Sequence, residues 1–97
     1  MNYSLHPEAE NDLREAAQVY RKRAGKSLSQ SFLAEFEKAV NTLMRHPELG
    51  APWRGNRRRY VMSRFPYSLI YTISGEEIRI FAVAHHSRRP GYWRKRQ

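Results

Sequence analysis

The densest run of chemically capable side chains is Phe81-Ala-Val-Ala-His-His-Ser-Arg-Arg-Pro-Gly-Tyr-Trp-Arg-Lys-Arg96. His85 and His86 are of the residue type that exchanges protons near neutral pH. Arg88 and Arg89 are planar cations that grip phosphate through two parallel bonds. Tyr92 and Trp93 offer rings on which a base can stack, and Tyr92 can also give or take a proton. Adjacent residues of a strand point to opposite faces, so only one of the two histidines faces a given site. The other then serves the strand end or the surface. Trp93 also reads as an anchor folding the C-terminal segment back on a sheet, and Tyr92 is open between the two roles.

A second group of cations lies upstream: Arg54, Arg57, Arg58, Arg59 and Arg64, with Arg79 between the two groups. One reading is a phosphate- or target-binding concavity that draws on Arg57, Arg58, Arg59, Arg79, Arg88, Arg89 and Trp93. The other is a solvated surface or a dock for an acidic protein. If the strands carrying Arg59 and Arg79 flank a common neighbour, Arg59, Arg79 and His85 approach one another across one face. No metal and no cofactor are expected, because neighbouring histidines lack a chelating spacing and neither cysteine nor a nearby carboxylate joins them. No Ser-His-Asp pattern, phosphate-cradling glycine loop or paired catalytic carboxylates can be found, which leaves hydrolases and nucleotide-dependent enzymes unsupported.

The charge is divided unevenly along the chain. Residues 1–50 carry seven basic and seven acidic side chains, whereas residues 51–97 carry eleven basic and two acidic. The whole formal excess of +9 therefore lies in the second half. Such a field favours polyanions or acidic partners and says little about fold. At 97 residues the chain is expected to form one domain over 1–97 with a modest core. The absence of cysteine suits a reducing cytoplasm. The start Met1-Asn-Tyr-Ser-Leu-His-Pro lacks the pattern of a signal peptide, and no apolar run approaches the ~20 residues of a membrane span. A cytosolic protein without membrane attachment is expected.

Six elements must position these side chains. Asn2 to Leu5 reads as a short edge strand closed by His6-Pro7, since proline suits a first helical turn. Ala9, Leu13, Ala16, Ala17 and Tyr20 recur at spacings of three and four, which predicts a helix over 7–23. Its early acids and late bases oppose the helix dipole, and Gly25 suits a left-handed position beyond its end. Ser27 and Gln30 have capping-box spacing for a second helix carrying Leu28, Phe32, Phe36, Val40 and Leu43, ending near His46-Pro47. Residues 48–55 read as a loop.

Strands follow over 57–62, 67–73 and 77–85. In the last, Ile78, Ile80, Ala82 and Ala84 fall on one face and Arg79, Phe81, Val83 and His85 on the other. Close connections make these three an antiparallel meander. The expected fold is α+β, ordered β-α-α-β-β-β, with a helical hairpin packed on an antiparallel sheet. Trp53 and Tyr60 read as packing residues.

Pro7-Glu-Ala-Glu-Asn-Asp-Leu13, Phe32-Leu-Ala-Glu-Phe-Glu-Lys-Ala39, His46-Pro-Glu-Leu-Gly50, Arg64-Phe-Pro-Tyr-Ser-Leu-Ile-Tyr71 and Ile80-Phe-Ala-Val-Ala-His85 followed by Arg88-Arg-Pro-Gly-Tyr-Trp93 occur in this order. Their succession resembles the RelE/ParE superfamily of bacterial toxins over nearly the whole chain. The resemblance implies the same α+β fold and the toxin half of a type II toxin-antitoxin module, held inactive by a cognate antitoxin in a hetero-oligomer. RelE-like members cut mRNA on the ribosome without metal. On that reading His85 and Tyr92 transfer protons and the arginines, Arg64 among them, stabilise the charged phosphate. The lysines of the strongest RelE-type sites are missing here. ParE-like members poison DNA gyrase by binding, and the ordering His-x-x-Arg-Arg-Pro-x-Tyr-Trp looks closer to the ParE or plasmid-stabilisation branch. A binding module without toxicity is the third reading.

Overall fold

The computed structural model describes residues 1–88 and 91–96; Arg89, Pro90 and Gln97 lie outside the described residues. In chain order the elements are β1 (Asn2–Leu5), α1 (Pro7–Ala24), α2 (Lys26–Arg45), β2 (Ala51–Pro52), β3 (Arg58–Val61), β4 (Tyr67–Ser74) and β5 (Glu77–His85). The strands form one sheet in the order β1-β5-β4-β3-β2.

The helix hairpin forms where the apolar stripes predict it. His6 caps α1, its Nδ1 accepting the Glu8 N–H at 3.0 Å, with Pro7 at the first helical position. Gly25 alone separates the helices, at φ 95° and ψ 173°, a backbone region open to glycine and little else. The expected capping box is not used: α2 begins at Lys26, Gly25 occupies the cap position, and Ser27 lies inside the helix. A one-residue link leaves no room for a separate cap. Ser29 instead ties the helices together, donating to the Ala17 carbonyl at 2.8 Å.

Phe32, Phe36, Ala39, Val40 and Leu43 of α2 and Ala9 and Ala16 of α1 are buried against one sheet face, where Leu69, Tyr71, Ile78 and Ile80 meet them. Tyr20, Phe32, Phe65 and Tyr67 interlock there, with the Phe32 and Tyr67 ring centroids 5.1 Å apart. Such pairs add about 0.5–1.5 kcal/mol each beyond their buried area.

Three features depart from the expectation. β1 pairs parallel to β5, Asn2 opposite Glu77 through Leu5 opposite Ile80, so the sheet is mixed. The meander β3-β4-β5 alternates in direction, and its last strand runs the same way as the first strand of the chain. Within the expected loop, Ala51 and Pro52 pair antiparallel with Arg59 and Arg58, adding a short fifth strand.

The third departure is a bulge. Ile70 faces Ala82 but Tyr71 faces Ile80, which leaves Phe81 unpaired. One extra residue inverts the alternation beyond it. Val83 consequently joins Ile78 and Ile80 in the main core, while Ala82 moves to the opposite face. The expected division of β5 into one face of Ile78, Ile80, Ala82 and Ala84 therefore holds only up to the bulge.

Candidate functional site

The sheet face away from the helices is partly covered by the C-terminal segment. Trp93, 3% exposed, packs with Ile70 and Ala82, and Trp53 closes on it with ring centroids 4.3 Å apart. Beside this second layer lies a hollow of ≈ 80 Å³ whose walls include Trp53, Arg59, His86, Arg88 and Tyr92 over a floor of Ser68, Ile70 and Ala84. Arg59 reaches it because β3 pairs with β4 so that Arg59 lies opposite Ile70, on this same face.

A hydrogen-bonded chain crosses the hollow. Arg59 Nε donates to Ser68 Oγ at 3.1 Å, and Ser68 Oγ lies 3.0 Å from His86 Nε2. The Arg88 guanidinium sits 3.9 Å above the Tyr92 ring, and Arg54 sits 4.6 Å above Trp53. Among the described residues, Arg54, Arg59 and Arg88 form no ion pair with a carboxylate.

What fixes the segment is a cluster that sequence reasoning missed. Asp12 projects from α1 and accepts Arg96 Nη1 at 2.7 Å and the Val83 N–H at 3.1 Å. The side chains of this pair are only 13% (Arg96) and 9% (Asp12) exposed. Arg96 also donates to the Phe81 carbonyl at 3.0 Å, an acceptor that the bulge frees from strand pairing. From the other side Arg57 donates to the carbonyls of Trp93 at 3.2 Å and Arg96 at 2.7 Å. Burial holds the Arg57 guanidinium below its usual range. A signal for Asp12 exists in the sequence. It lies three residues after Ala9 and four before Ala16, within an apolar stripe where an acid needs a partner.

The candidate residues do not converge on one point. His85 and Tyr92 border the hollow, and both also line a second groove against α1 with Asp12 and Tyr67. His85 stacks edge-on against Tyr67 at 4.9 Å, and its Nδ1 accepts the Ser87 N–H at 3.0 Å. The neutral ring must then carry its proton on Nε2. The histidine that meets Arg59 is His86, because the bulge re-phases the end of β5 and turns His85 toward Tyr67 on the helix side.

Arg58 donates to the carbonyls of Glu48 and Gly50, bracing the loop. Arg79 donates to Ser4 Oγ, beside β1. Arg64, left-handed at φ 69° in the turn between β3 and β4, faces α2 and pairs with Glu35 at 3.5 Å. The expected approach of Arg59, Arg79 and His85 thus does not occur as a trio: Arg79 bonds Ser4 beside β1, and Arg59 and His85 both border the hollow but bond Ser68 and Ser87 rather than each other. Arg89 lies outside the described residues. Among those described, no group of three or more His, Asp or Glu could hold a metal.

Two phenols in this region are held in the neutral form. Tyr92 is raised above its ordinary 10.0 chiefly by burial, with Asp12 adding to the rise and Arg88 and Arg96 opposing it. Tyr67 is pushed up to about 12 by burial and then by Tyr20, Tyr92 and Asp12. A group that binds its proton more tightly when folded stabilises the fold fully below its unfolded pKa and loses that contribution as pH rises through the folded value. Stability should therefore fall between pH 10 and about 12, at about 1.4 kcal/mol per unit for one group. Urea unfolding midpoints measured across this window should fall less steeply for Tyr67→Phe. Equal slopes would show that Tyr67 does not titrate late.

Compared with known proteins, the chain matches the family model described as the ParE toxin of the type II toxin-antitoxin system parDE over residues 3–90. No curated protein matches it. A solved structure titled the chromosomal ParDE TA system from P. aeruginosa contains a chain superposing with a TM-score of 0.77 at 20% identity, covering 88% of this chain and 95% of that one. At this identity the likeness is one of fold. No helix is long and apolar enough to cross a membrane among the described residues.

Proposed function

On the premise that this chain belongs to the ParE toxin family of type II toxin-antitoxin systems, we propose that it arrests growth by binding and poisoning DNA gyrase. A cognate antitoxin would neutralise it in a hetero-oligomer, and the cytoplasm would be its site of action. The observation that carries a binding mechanism over a catalytic one is that Arg64, the candidate phosphate-stabilising arginine, lies apart from His85 and Tyr92, which share the hollow and the groove against α1. Arg64 is paired with Glu35 on the helix side, and the His85 Nδ1 is engaged by its own neighbour Ser87. Tyr92 is held neutral, with the Arg88 and Arg96 guanidinium groups 3.9 Å and 5.1 Å from its ring centroid. Acid–base catalysis needs its groups within about one hydrogen bond of a common reacting atom. A binding poison needs a fixed surface, and the Asp12–Arg96 and Arg57 contacts fix one.

The test is controlled induction in bacteria, following thymidine and methionine incorporation over the first minutes. DNA synthesis should fall first. An earlier fall in protein synthesis would overturn gyrase poisoning in favour of ribosome-bound mRNA cleavage, and no fall in either would point to a non-toxic binding module. His85→Gln and Tyr92→Phe should leave growth inhibition within about twofold, whereas loss of an acid–base group would cost about 10²–10⁴-fold in rate.

A further inference from the structure

The geometry points to the outer edge of β1 as a self-pairing surface, on which a second copy of this chain lays its own β1 antiparallel about a two-fold axis at Ser4. This goes beyond the reading above and does not depend on which cellular machine the protein attacks.

Three observations carry it. First, the edge is open. The Asn2 N–H donates to the Glu76 carbonyl at 2.9 Å and the His6 N–H to the Ile80 carbonyl at 2.8 Å. Alternate residues of a parallel strand face the same neighbour. Asn2, Ser4 and His6 therefore face β5, and Tyr3 and Leu5 turn their N–H and C=O groups outward. Among the described residues no strand pairs with that outer side, because β1 ends the sheet. Sheet edges are ordinarily guarded by charge, proline or great shortness. β2, at the other end of the sheet, is guarded in this way, being two residues long with Pro52 as one of them. β1 has four residues, no charge and no proline.

Second, the edge is complementary to itself. Antiparallel pairing centred on Ser4 sets Tyr3 opposite Leu5 of the second copy, and Leu5 opposite its Tyr3. All of these residues face outward, so each of the two pairs exchanges both of its backbone hydrogen bonds. The side chains of Tyr3 and Leu5 lie on the helix face, since their neighbours Ile78 and Ile80 belong to the main core. Tyr3 is 42% exposed in the single chain. The pairing lays its ring across Leu5 of the second copy, a cross-strand contact of the kind that stabilises sheets. A two-fold contact of this type closes on itself and stops at a dimer.

Third, the charge permits it. A formal excess of +9 resists self-association, yet residues 1–5 carry no charged side chain. Ser4 Oγ donates to Glu77 Oε1 at 3.2 Å and accepts from Arg79 Nη1 at 3.2 Å. The Ser4 hydroxyls that meet at the axis thus bring one carboxylate and one guanidinium from each copy, which balance. An acidic strand from another protein would meet a carboxylate here for every guanidinium.

The test is light scattering of the full chain from about 1 μM to about 1 mM, with amide exchange followed at both ends of the range. The mass should rise from 11.5 kDa toward twice that value. The Tyr3 and Leu5 amides should exchange about tenfold more slowly in the concentrated sample. Added salt should tighten the dimer by screening the repulsion between the two chains. Tyr3→Pro removes an outward N–H and no bond to β5, and should raise the dissociation constant by more than about tenfold. Tyr3→Phe should leave it within about twofold. Leu49→Lys, at a residue 54% exposed just before β2, should also change it less than about twofold. Thermal midpoints of the dilute samples show whether each variant is folded, and Tyr3→Lys, which charges the edge, replaces Tyr3→Pro should the latter not fold.

A single 11.5 kDa species over the whole range would overturn the pairing and leave the edge to a strand of a different protein. Equal losses for Leu49→Lys and the Tyr3 variant would show diffuse apolar association and overturn it too. So would a dimer that loosens in salt, or one whose Tyr3 and Leu5 amides exchange as fast as the monomer's. None of these results touches the gyrase reading, which the incorporation experiment tests by itself.

Discussion

Replacing Asp12 by asparagine should lower the unfolding free energy by about 3 kcal/mol and abolish growth inhibition, although Asp12 borders the hollow nowhere. The carboxylate answers a guanidinium that is 13% exposed, and its removal leaves that charge buried without a partner. The same oxygen holds the Val83 N–H just past the bulge. Asparagine keeps the shape and one acceptor, so the loss measures the charge. With the pair broken, only the Arg57 bonds and the Arg96 bond to the Phe81 carbonyl are left to hold the C-terminal turns, and Trp93 loses its fixed seat on Ile70 and Ala82. Urea denaturation gives the energetic cost, and a red shift of tryptophan emission in the folded baseline reports the loosened segment. Adding Arg96→Met to Asp12→Asn should cost little more, because the two residues act as one unit. Additive costs would show that they do not.

Gly50→Ala should be the second most damaging change, at about 2–4 kcal/mol, for a reason of space and not of backbone conformation. A methyl placed there would stand 2.6 Å from the Tyr71 hydroxyl, 2.7 Å from its ring and 3.0 Å from the Arg59 carbonyl. Tyr71 is fully buried, and its hydroxyl accepts the Gly50 N–H at 2.9 Å and donates to the Pro47 carbonyl at 2.6 Å. It cannot withdraw without giving up both bonds. The damage should spread to the hollow, because the Arg59 backbone bounds the same gap. Adding Tyr71→Phe removes the hydroxyl clash but leaves the ring contact, so it should restore only part of the stability. Full recovery would place the strain elsewhere.

Most of the fold was legible because it rests on local periodicity. The stripe from Ala9 to Tyr20 and that from Leu28 to Leu43 defined both helices to within a residue or two, and the strand expected over 67–73 is β4 short of its last residue. What escaped depends on residues far apart in sequence. β1 is too short to show its own partner, and nothing local distinguishes an edge strand parallel to β5 from one antiparallel to it.

The bulge at Phe81 was hidden because Ala82, Val83 and Ala84 are small or apolar and suit either face. That single residue is why His86 and not His85 meets Arg59. The roles of the arginines were hidden in the same way. Arg57, Arg58 and Arg96 are identical in type to Arg59 and Arg88, yet the first three satisfy carbonyls and a carboxylate of their own chain, a distinction only the packing reveals.

The pairing of β1 with β5 also bears on how the molecule comes into being. Asn2 finds its partner at Glu77, and Asp12 finds Arg96. β1 thus waits for β5, and contacts so distant in sequence close late and slowly. Until β5 has emerged the growing chain holds a helix hairpin with its apolar face uncovered, and until residue 96 has emerged the latch has no second half. An incomplete chain carries the exposed hairpin without the structure that could harm the cell making it.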